Sequence, residues 1–171
     1  EPTLISAFTA GEDIHCRTAS EVFGVPVEWV TSDQRTAAKS INFGLLYGMS
    51  AFRLSRELSI SMYEAKGYME KYFERLPLVQ NWVEETHRSV EEFGYVETMF
   101  GRRRKIPLIH SNRAQEKAAA QREAVNTRVQ GTAADIIKIA MVRVDEALAT
   151  SDIKARMLLQ VHDELLFEVP K

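Results

Sequence analysis

Helical spacing of apolar residues runs through most of this sequence and changes in only two short places. Over residues 1–93 and 113–149 the apolar side chains recur every three or four positions, which is the pattern of helices with one buried face. Around 95–106 and 156–169 the pattern shortens to strand-like runs beside turn residues. We therefore predict a predominantly helical α+β fold that ends in a two-stranded β-ribbon.

Turn and cap residues divide the helical pattern into separate helices. The predicted helices cover most of 1–24, about 34–47, 51–58, 62–93 with a break at Pro77, 113–129 and 132–149. We expect Gly131 to interrupt the last stretch, because Thr132 and Asp135 have the spacing of a capping box. The helix that follows is expected to bury Ile136, Ile137, Ala140, Met141, Val144 and Leu148.

The final ribbon is too apolar to be stable as two strands alone. Its strands are predicted at 156–161 and 165–169, on either side of a short polar turn. A lone hairpin is marginally stable in water, so we expect the helix at 132–149 to cover one face and a further strand to be the third partner. An uncovered edge predicts self-association or poor solubility.

Composition excludes several classes of protein. The chain has 171 residues, of which 45% are hydrophobic, and a single cysteine. It is therefore neither a disordered chain nor a disulfide scaffold, and no apolar run reaches the ~20 residues of a membrane helix. We expect a soluble, intracellular piece whose true start lies upstream.

Residues 102–138 hold nine basic and three acidic residues, a net charge of +6, which indicates either phosphate contacts or a solvated helix face.

Two cations and two aromatic residues recur every four positions between residues 35 and 47. On a helix, Arg35, Lys39, Phe43 and Tyr47 form one stripe. Cations followed by rings suit a nucleoside triphosphate, because the cations can bind phosphates and the rings can contact sugar and base. The alternative is an ordinary amphipathic helix, with the rings in a core and the cations extending to solvent.

Acidic residues stand at the turn of the final ribbon. Asp163 and Glu164 follow His162 between two apolar runs. Strands on both sides would hold these carboxylates rigidly and outward, as a Mg²⁺ site requires. The alternative is an ordinary polar turn, because aspartate is a favoured turn residue.

Residues 122, 126 and 130 form a third pattern of four-residue spacing. Arg122, Asn126 and Gln130 offer guanidinium and amide donors that suit phosphates and the minor groove of DNA. A solvated face of an alanine-rich helix is the alternative.

Other chemistry has less support, because Cys16 and His15 fall short of a zinc ligand set and no glycine-rich phosphate loop is present.

Together the three patterns resemble family A DNA polymerases of the bacterial DNA polymerase I type. The stretch from Arg35 to Gly48 is similar to motif B of that family, and Gln160 to Glu164 is similar to motif C. Between them, Gln130 to Ile136 resembles the start of a palm helix, and Asp13 to His15 resembles an early fingers helix. The resemblance extends over essentially the whole chain.

The resemblance implies a right-hand polymerase architecture and a set of site residues. Residues 1–110 would be fingers, and 111–171 a partial palm containing the motif C hairpin. The implied catalytic residues are Asp163, Lys39 and Glu164, with Asp163 binding metal. The implied nucleotide-binding residues are Arg35, Lys39, Phe43, Tyr47 and His15. The implied DNA-binding residues are Arg122, Asn126, Gln130 and His162.

The implied reaction is DNA-directed extension of a primer 3′ end by deoxynucleoside triphosphates, with two Mg²⁺ ions. Its implied partners are primer–template DNA, the nucleotides and the rest of the polymerase. No membrane partner is implied, and the implied location is the bacterial cytoplasm, at the nucleoid. The sequence lacks the family's motif A aspartate and thumb, so we expect the isolated chain to be inactive. The alternatives are a non-catalytic DNA- or nucleotide-binding module of the same fold and a structural helical protein.

Overall fold

The computed structural model describes residues 1–171, which form two compact units. The first unit consists of Glu1–Val96 and Lys105–Val125, and the second of Glu97–Arg104 and Asn126–Lys171. The predicted predominantly helical α+β fold is confirmed. None of the helices combines the length and the apolar character that crossing a lipid bilayer requires.

The helices are α1 (Pro2–Thr9), α2 (Ile14–Phe23), α3 (Ser32–Leu46), α4 (Ala51–Leu58), α5 (Met62–Arg75), α6 (Pro77–Phe93) and α7 (Ala114–Ala149). Short 3₁₀ helices lie at Val27–Trp29 and Pro107–His110. The strands form two separate pairs, β1 (Tyr95–Glu97) with β2 (Arg103–Lys105) and β3 (Arg156–Val161) with β4 (Glu164–Glu168).

Local capping explains where the helices of the first unit begin and end. Thr31 accepts a hydrogen bond from the Gln34 backbone N–H, and the Gln34 side chain accepts one from the Thr31 N–H, which closes a capping box at the start of α3. Gly48 follows the end of α3 with φ +78°, as a helix-ending glycine should. The predicted break at Pro77 separates α5 from α6. The predicted helices at about 34–47 and at 51–58 and the predicted break at Pro77 are thereby confirmed.

The first unit has two apolar clusters. One consists of Ile41, Leu45, Leu54 and Ala65, and packs α3 against α4 and α5. The other joins α6, the 105–110 segment and the first part of α7 through Val90, Val96, Ile106, Ile109, Ala120 and Ala124. Because α3 uses Ala38, Ile41 and Leu45 for burial, its residues at other angular positions remain available to solvent.

The predicted interruption at Gly131 is wrong, because α7 runs unbroken from Ala114 to Ala149. Thr132 does not cap a new helix. Its hydroxyl donates to the Arg128 carbonyl one turn earlier and accepts from the Met99 N–H. Gly131 permits close packing here, since a Cβ at that position would lie 2.9 Å from Thr98 Cγ2. The predicted burial of Ile136 is also wrong, because that side chain is 54% exposed.

Two helical glycines give opposite predictions for replacement by alanine. Gly67→Ala in α5 is expected to stabilise the protein by about 1 kcal/mol, because alanine favours the helix and the added Cβ meets nothing within 4 Å. Gly131→Ala is expected to destabilise it by about 1–2 kcal/mol, because the Cβ would collide with the buried Thr98. Urea unfolding of both variants measures the difference. Stabilisation by Gly131→Ala would contradict this packing.

The second unit ends in the predicted ribbon. Strand β3 pairs antiparallel with β4, Val161 opposite Glu164, and an irregularity interrupts the register between Met157 and Leu159. The fourth strand begins one residue earlier than predicted, at Glu164. Leu158 and Leu166 are each about half exposed, at 46% and 51%. The ribbon therefore exposes apolar side chains to solvent, and the expected third strand and self-association stay predictions.

Candidate functional site

The stripe predicted from four-residue spacing lies on α3 and the residue that follows it. Arg35 and Lys39 are exposed, and Tyr47 is half-buried. Phe43 is 43% exposed. Since the buried side of α3 is occupied by Ile41 and its neighbours, the alternative of Phe43 as an ordinary core residue does not describe this helix.

Successive members of the stripe contact each other. Lys39 Nζ lies 6.0 Å from the centroid of the Phe43 ring, within the range of a cation–π contact. The Phe43 and Tyr47 rings stack with centroids 6.4 Å apart and an interplanar angle of 7°. Lys39, Phe43 and Tyr47 thus form a continuous ridge that is cationic toward the start of α3 and aromatic toward its end.

Helix α2 places His15 beside this ridge. The His15 ring centroid lies 5.5 Å from that of Phe43. Burial lowers the pKa of His15, and the charges of Arg35 and Lys39 lower it further, against the opposing charge of Asp13. The imidazole is therefore held in its neutral form near neutral pH. A neutral ring can donate one hydrogen bond and accept another.

Asp13 links the start of α2 to Arg35. Its carboxylate accepts hydrogen bonds from the backbone N–H groups of His15 and Cys16, as an N-cap should, and from Arg35 Nε at 2.7 Å. The Arg35 hydrogen bond, against a smaller desolvation effect, lowers the pKa of Asp13 to about 2. Asp13 therefore fixes the first cation of the stripe relative to α2. Nothing in the sequence pattern indicates this ion pair, because the two residues lie 22 positions apart.

The Asp13–Arg35 pair makes a pH-dependent prediction. Because the folded-state pKa of Asp13 lies below its ordinary value of 3.8, the pair stabilises the fold above about pH 4 and loses this contribution as the pH falls toward 2. Arg35→Gln is expected to move the Asp13 pKa up toward 3.8. A carbon-13 NMR titration of the carboxyl groups measures it, with Arg17→Gln as control because Arg17 pairs with Glu12 and Glu21. An unchanged Asp13 pKa in Arg35→Gln would contradict the ion pair.

An open depression of about 400 Å³ lies alongside the ridge. Besides Lys39, Phe43 and Tyr47, its lining includes Arg53 from α4 and Arg122 from α7. Three cations therefore line one depression that also holds two aromatic rings. Sequence reasoning missed Arg53, because a single basic residue in a short amphipathic helix gives no distinguishing signal.

Arg122 is held close to the end of α3. A Cβ on Gly48 would lie 3.1 Å from Arg122 Cγ, so the glycine allows the arginine stem to pack against the turn after Tyr47. Arg122, which is predicted to contact DNA, therefore lies beside residues of the first unit that are predicted to contact the nucleotide. Asn126 and Gln130 are exposed on the part of α7 that belongs to the second unit.

The turn of the final ribbon consists of His162 and Asp163. His162 has φ +54°, in the left-handed region, as residues of tight two-residue hairpin turns often have. The Gln160 side chain donates to the His162 carbonyl at 2.6 Å and fixes the turn. Asp163 and Glu164 are exposed, so their carboxylates can reach a ligand.

The predicted site residues fall into two groups. The first unit contains His15, the α3 stripe and Arg122, and the second contains Asn126, Gln130 and the motif C turn. Nowhere along residues 1–171 do three or more His, Cys, Asp or Glu side chains come together as a metal site. Asp163 is an exposed carboxylate, and Mg²⁺ characteristically takes one or two carboxylates and completes its shell with water and phosphate.

Comparison with known sequences decides the family. The sequence model of DNA polymerase family A matches residues 1–171. The chain belongs to DNA polymerase family A. The resemblance seen in motifs B and C is thereby confirmed.

Named members of the family are close in sequence. DNA polymerase I of Pseudomonas aeruginosa is 52% identical over 166 residues, which cover 97% of this chain and 18% of the relative. The thermostable DNA polymerase I of Thermus aquaticus is 52% identical over 171 residues, 100% of this chain and 20% of the relative. The chain therefore spans about a fifth of the length of these family A polymerases.

A solved structure has a similar fold over almost the whole length of this chain. It is the POL domain of Pol1 from M. smegmatis in complex with DNA primer–template and dNTP. The TM-score is 0.91 at 46% sequence identity, and the match covers 97% of this chain and 29% of that chain. The fold described above is therefore the fold of that part of a family A polymerase domain.

Proposed function

We propose that this chain is the part of a DNA-directed DNA polymerase that binds the incoming nucleotide, contacts primer and template, and supplies one metal-binding carboxylate. The observation that carries the proposal is the ridge of Lys39, Phe43 and Tyr47, which shares a depression with Arg122. Family membership supports it, as does the M. smegmatis relative, whose structure contains primer–template DNA and dNTP.

The nucleotide would lie along α3. Arg35 and Lys39 would bind its phosphates, because both are exposed cations one helical turn apart. Phe43 would lie beside the sugar, and Tyr47 would contact the nascent base pair. His15, which borders Phe43, would donate to the triphosphate. This order matches the change from cationic to aromatic character along the ridge.

Primer and template would contact α7 and the motif C turn. Arg122, Asn126 and Gln130 are spaced by four residues on one unbroken helix, so their donors follow one side of it. They would meet phosphate oxygens and minor-groove acceptors, which are similar for all base pairs and therefore suit an enzyme that copies any sequence. His162 would contact the primer terminus.

The reaction would form a bond from the primer 3′ oxygen to the α-phosphorus and break the bond from that phosphorus to the leaving pyrophosphate. Asp163, with Glu164 beside it, would hold Mg²⁺ at the end of β3. Two bound Mg²⁺ ions would stabilise the negative charge on the attacking and leaving oxygens. Lys39 would add positive charge on the leaving-group side, and the hydroxyl proton would pass to solvent.

Residues 1–110 would be fingers and residues 111–171 part of a palm, in a bacterial cytoplasmic enzyme that acts at the nucleoid. The other partners would be the motif A strand and the thumb. Because this sequence has no motif A aspartate, we propose that the 171-residue chain alone does not extend primers. In isolation it would act as a binding module for nucleotide and DNA.

Titration of the isolated chain tests the proposal. A fluorescent deoxynucleoside triphosphate and a primer–template duplex are added separately at low salt, where phosphate contacts are strongest. We expect saturable binding of both and no primer extension with Mg²⁺ and four nucleotides. Failure to bind either ligand would contradict the binding role, and robust extension would contradict the inactivity of the isolated chain.

A further inference from the structure

Asn42 joins α3 to α2 through a small hydrogen-bond network next to the proposed nucleotide site. Its side-chain Nδ2 lies 3.0 Å from His15 Nδ1 and 3.5 Å from the Ile14 carbonyl oxygen. Its Oδ1 lies 3.0 Å from the Thr18 hydroxyl. All of these contacts are partly buried, so water competes for them less than at a fully exposed surface. Asn42 is therefore held by three partners on the neighbouring helix.

The partners of Asn42 determine which way its amide points. The Ile14 carbonyl can only accept a hydrogen bond, so it favours the amide NH₂ on its side. The Thr18 hydroxyl lies 2.9 Å from the Ile14 carbonyl oxygen and 3.0 Å from Oδ1, so its one proton is shared between these two acceptors and the Ile14 carbonyl sets the amide orientation. With Nδ2 directed at His15, the ring nitrogen Nδ1 must accept, and in the neutral ring the proton then stands on Nε2.

We infer that Asn42 is a positioning residue that fixes His15 in the tautomer protonated at Nε2, so that Nε2–H donates to a phosphate oxygen of the bound nucleotide. Packing of the His15 ring against Phe43, with centroids 5.5 Å apart, restricts the ring plane as well. Asn42 thus prepares a donor before the ligand arrives, which reduces the cost of ordering on binding. The phosphate contact rests on the proposed function, whereas the tautomer does not.

The tautomer is measured directly by NMR on the full 171-residue chain labelled with nitrogen-15. Long-range proton–nitrogen correlations distinguish a protonated ring nitrogen from an accepting one, and His15→Gln assigns the His15 signals. Spectra are recorded at a pH where titration shows the ring to be neutral. We expect His15 to be protonated at Nε2, with a scalar coupling between Asn42 Nδ2 and His15 Nδ1 across the hydrogen bond. Protonation at Nδ1 would overturn the inference.

Two substitutions at Asn42 are expected to change the His15 tautomer to different extents. Asn42→Leu removes the donor, so the His15 signals should move toward the average of both tautomers. Asn42→Asp replaces the donor by an acceptor, so the proton should move to Nδ1. The ring signals of His87 on α6 serve as the folding control in each variant. An unchanged His15 tautomer in both variants would overturn the inference, and the wild-type spectrum decides it if neither variant folds.

Nucleotide binding separates this inference from the proposed function. If both hold, Asn42→Leu and His15→Gln each weaken deoxynucleoside triphosphate binding by about tenfold, and the double variant is no weaker than either. If the wild-type chain binds no nucleotide, the proposed function fails and the tautomer result still stands. If nucleotide binds but Asn42→Leu has no effect on its affinity, the phosphate contact is overturned.

Discussion

Asp163→Asn is expected to reduce primer extension by about a thousandfold or more in a chimera that carries this chain in place of the matching segment of P. aeruginosa DNA polymerase I. The unaltered chimera should extend a primer, because the two segments are 52% identical and the relative supplies the rest of the polymerase. Removing a carboxylate charge from a Mg²⁺ site costs several kcal/mol of transition-state stabilisation. Gel-based extension of a labelled primer under single-turnover conditions measures the rate.

The matched control for Asp163 is another exposed aspartate of the second unit. Asp152→Asn, placed between α7 and β3, removes the same charge and should leave extension within about twofold. A chimera that is inactive even with Asp163 present would favour the non-catalytic binding module. An Asp163→Asn chimera that retains full activity would remove this carboxylate from the proposed catalytic site.

Lys39→Ala is expected to weaken deoxynucleoside triphosphate binding by the isolated chain about tenfold to a hundredfold. A hydrogen bond to a charged group contributes about 1.5–3 kcal/mol, which corresponds to this range of affinity. Lys39 is exposed and its ammonium lies over the Phe43 ring, so its removal should cost binding energy without disturbing the core. Fluorescence anisotropy at two salt concentrations gives the dissociation constants.

A lysine on another helix provides the comparison. Lys66→Ala removes an exposed cation from α5 and should change nucleotide affinity by less than about twofold, because Lys66 does not line the depression beside α3. Equal losses of nucleotide affinity in Lys39→Ala and Lys66→Ala would show that nucleotide binding depends only on the total charge of the chain. In that case the ridge on α3 would not be the binding surface.

Local sequence signals predicted most helix boundaries of this chain. The ends of α3 and the break at Pro77 depend on cap and turn residues that act through their immediate neighbours, so the sequence alone was sufficient for them. The predicted helix break at Gly131 was wrong because the role of this glycine depends on Thr98. Thr98 lies 33 positions earlier in the sequence and packs against α7 at Gly131. A glycine at a helix end and a glycine under a packed side chain look alike in one sequence.

The candidate site was predictable to the extent that it repeats along one helix. The α3 stripe follows from spacing, and its ring contacts confirm the periodicity. Asp13, Asn42 and Arg53 were missed as site residues, because their importance comes from contacts between helices. Their residue types are common at caps and on helix surfaces, so only the packing of α2 and α4 beside α3 reveals them.

The pairing of Asp13 with Arg35 affects which anions can compete for α3. The carboxylate already offsets the charge of this guanidinium through Nε, while the arginine side chain remains 44% exposed. A singly charged solute such as chloride therefore gains little by approaching it. A ligand with several negative charges can attract Arg35 and Lys39 at once and outweigh a single carboxylate. The same ion pair would thus favour polyphosphates over the small anions that are abundant in a cell.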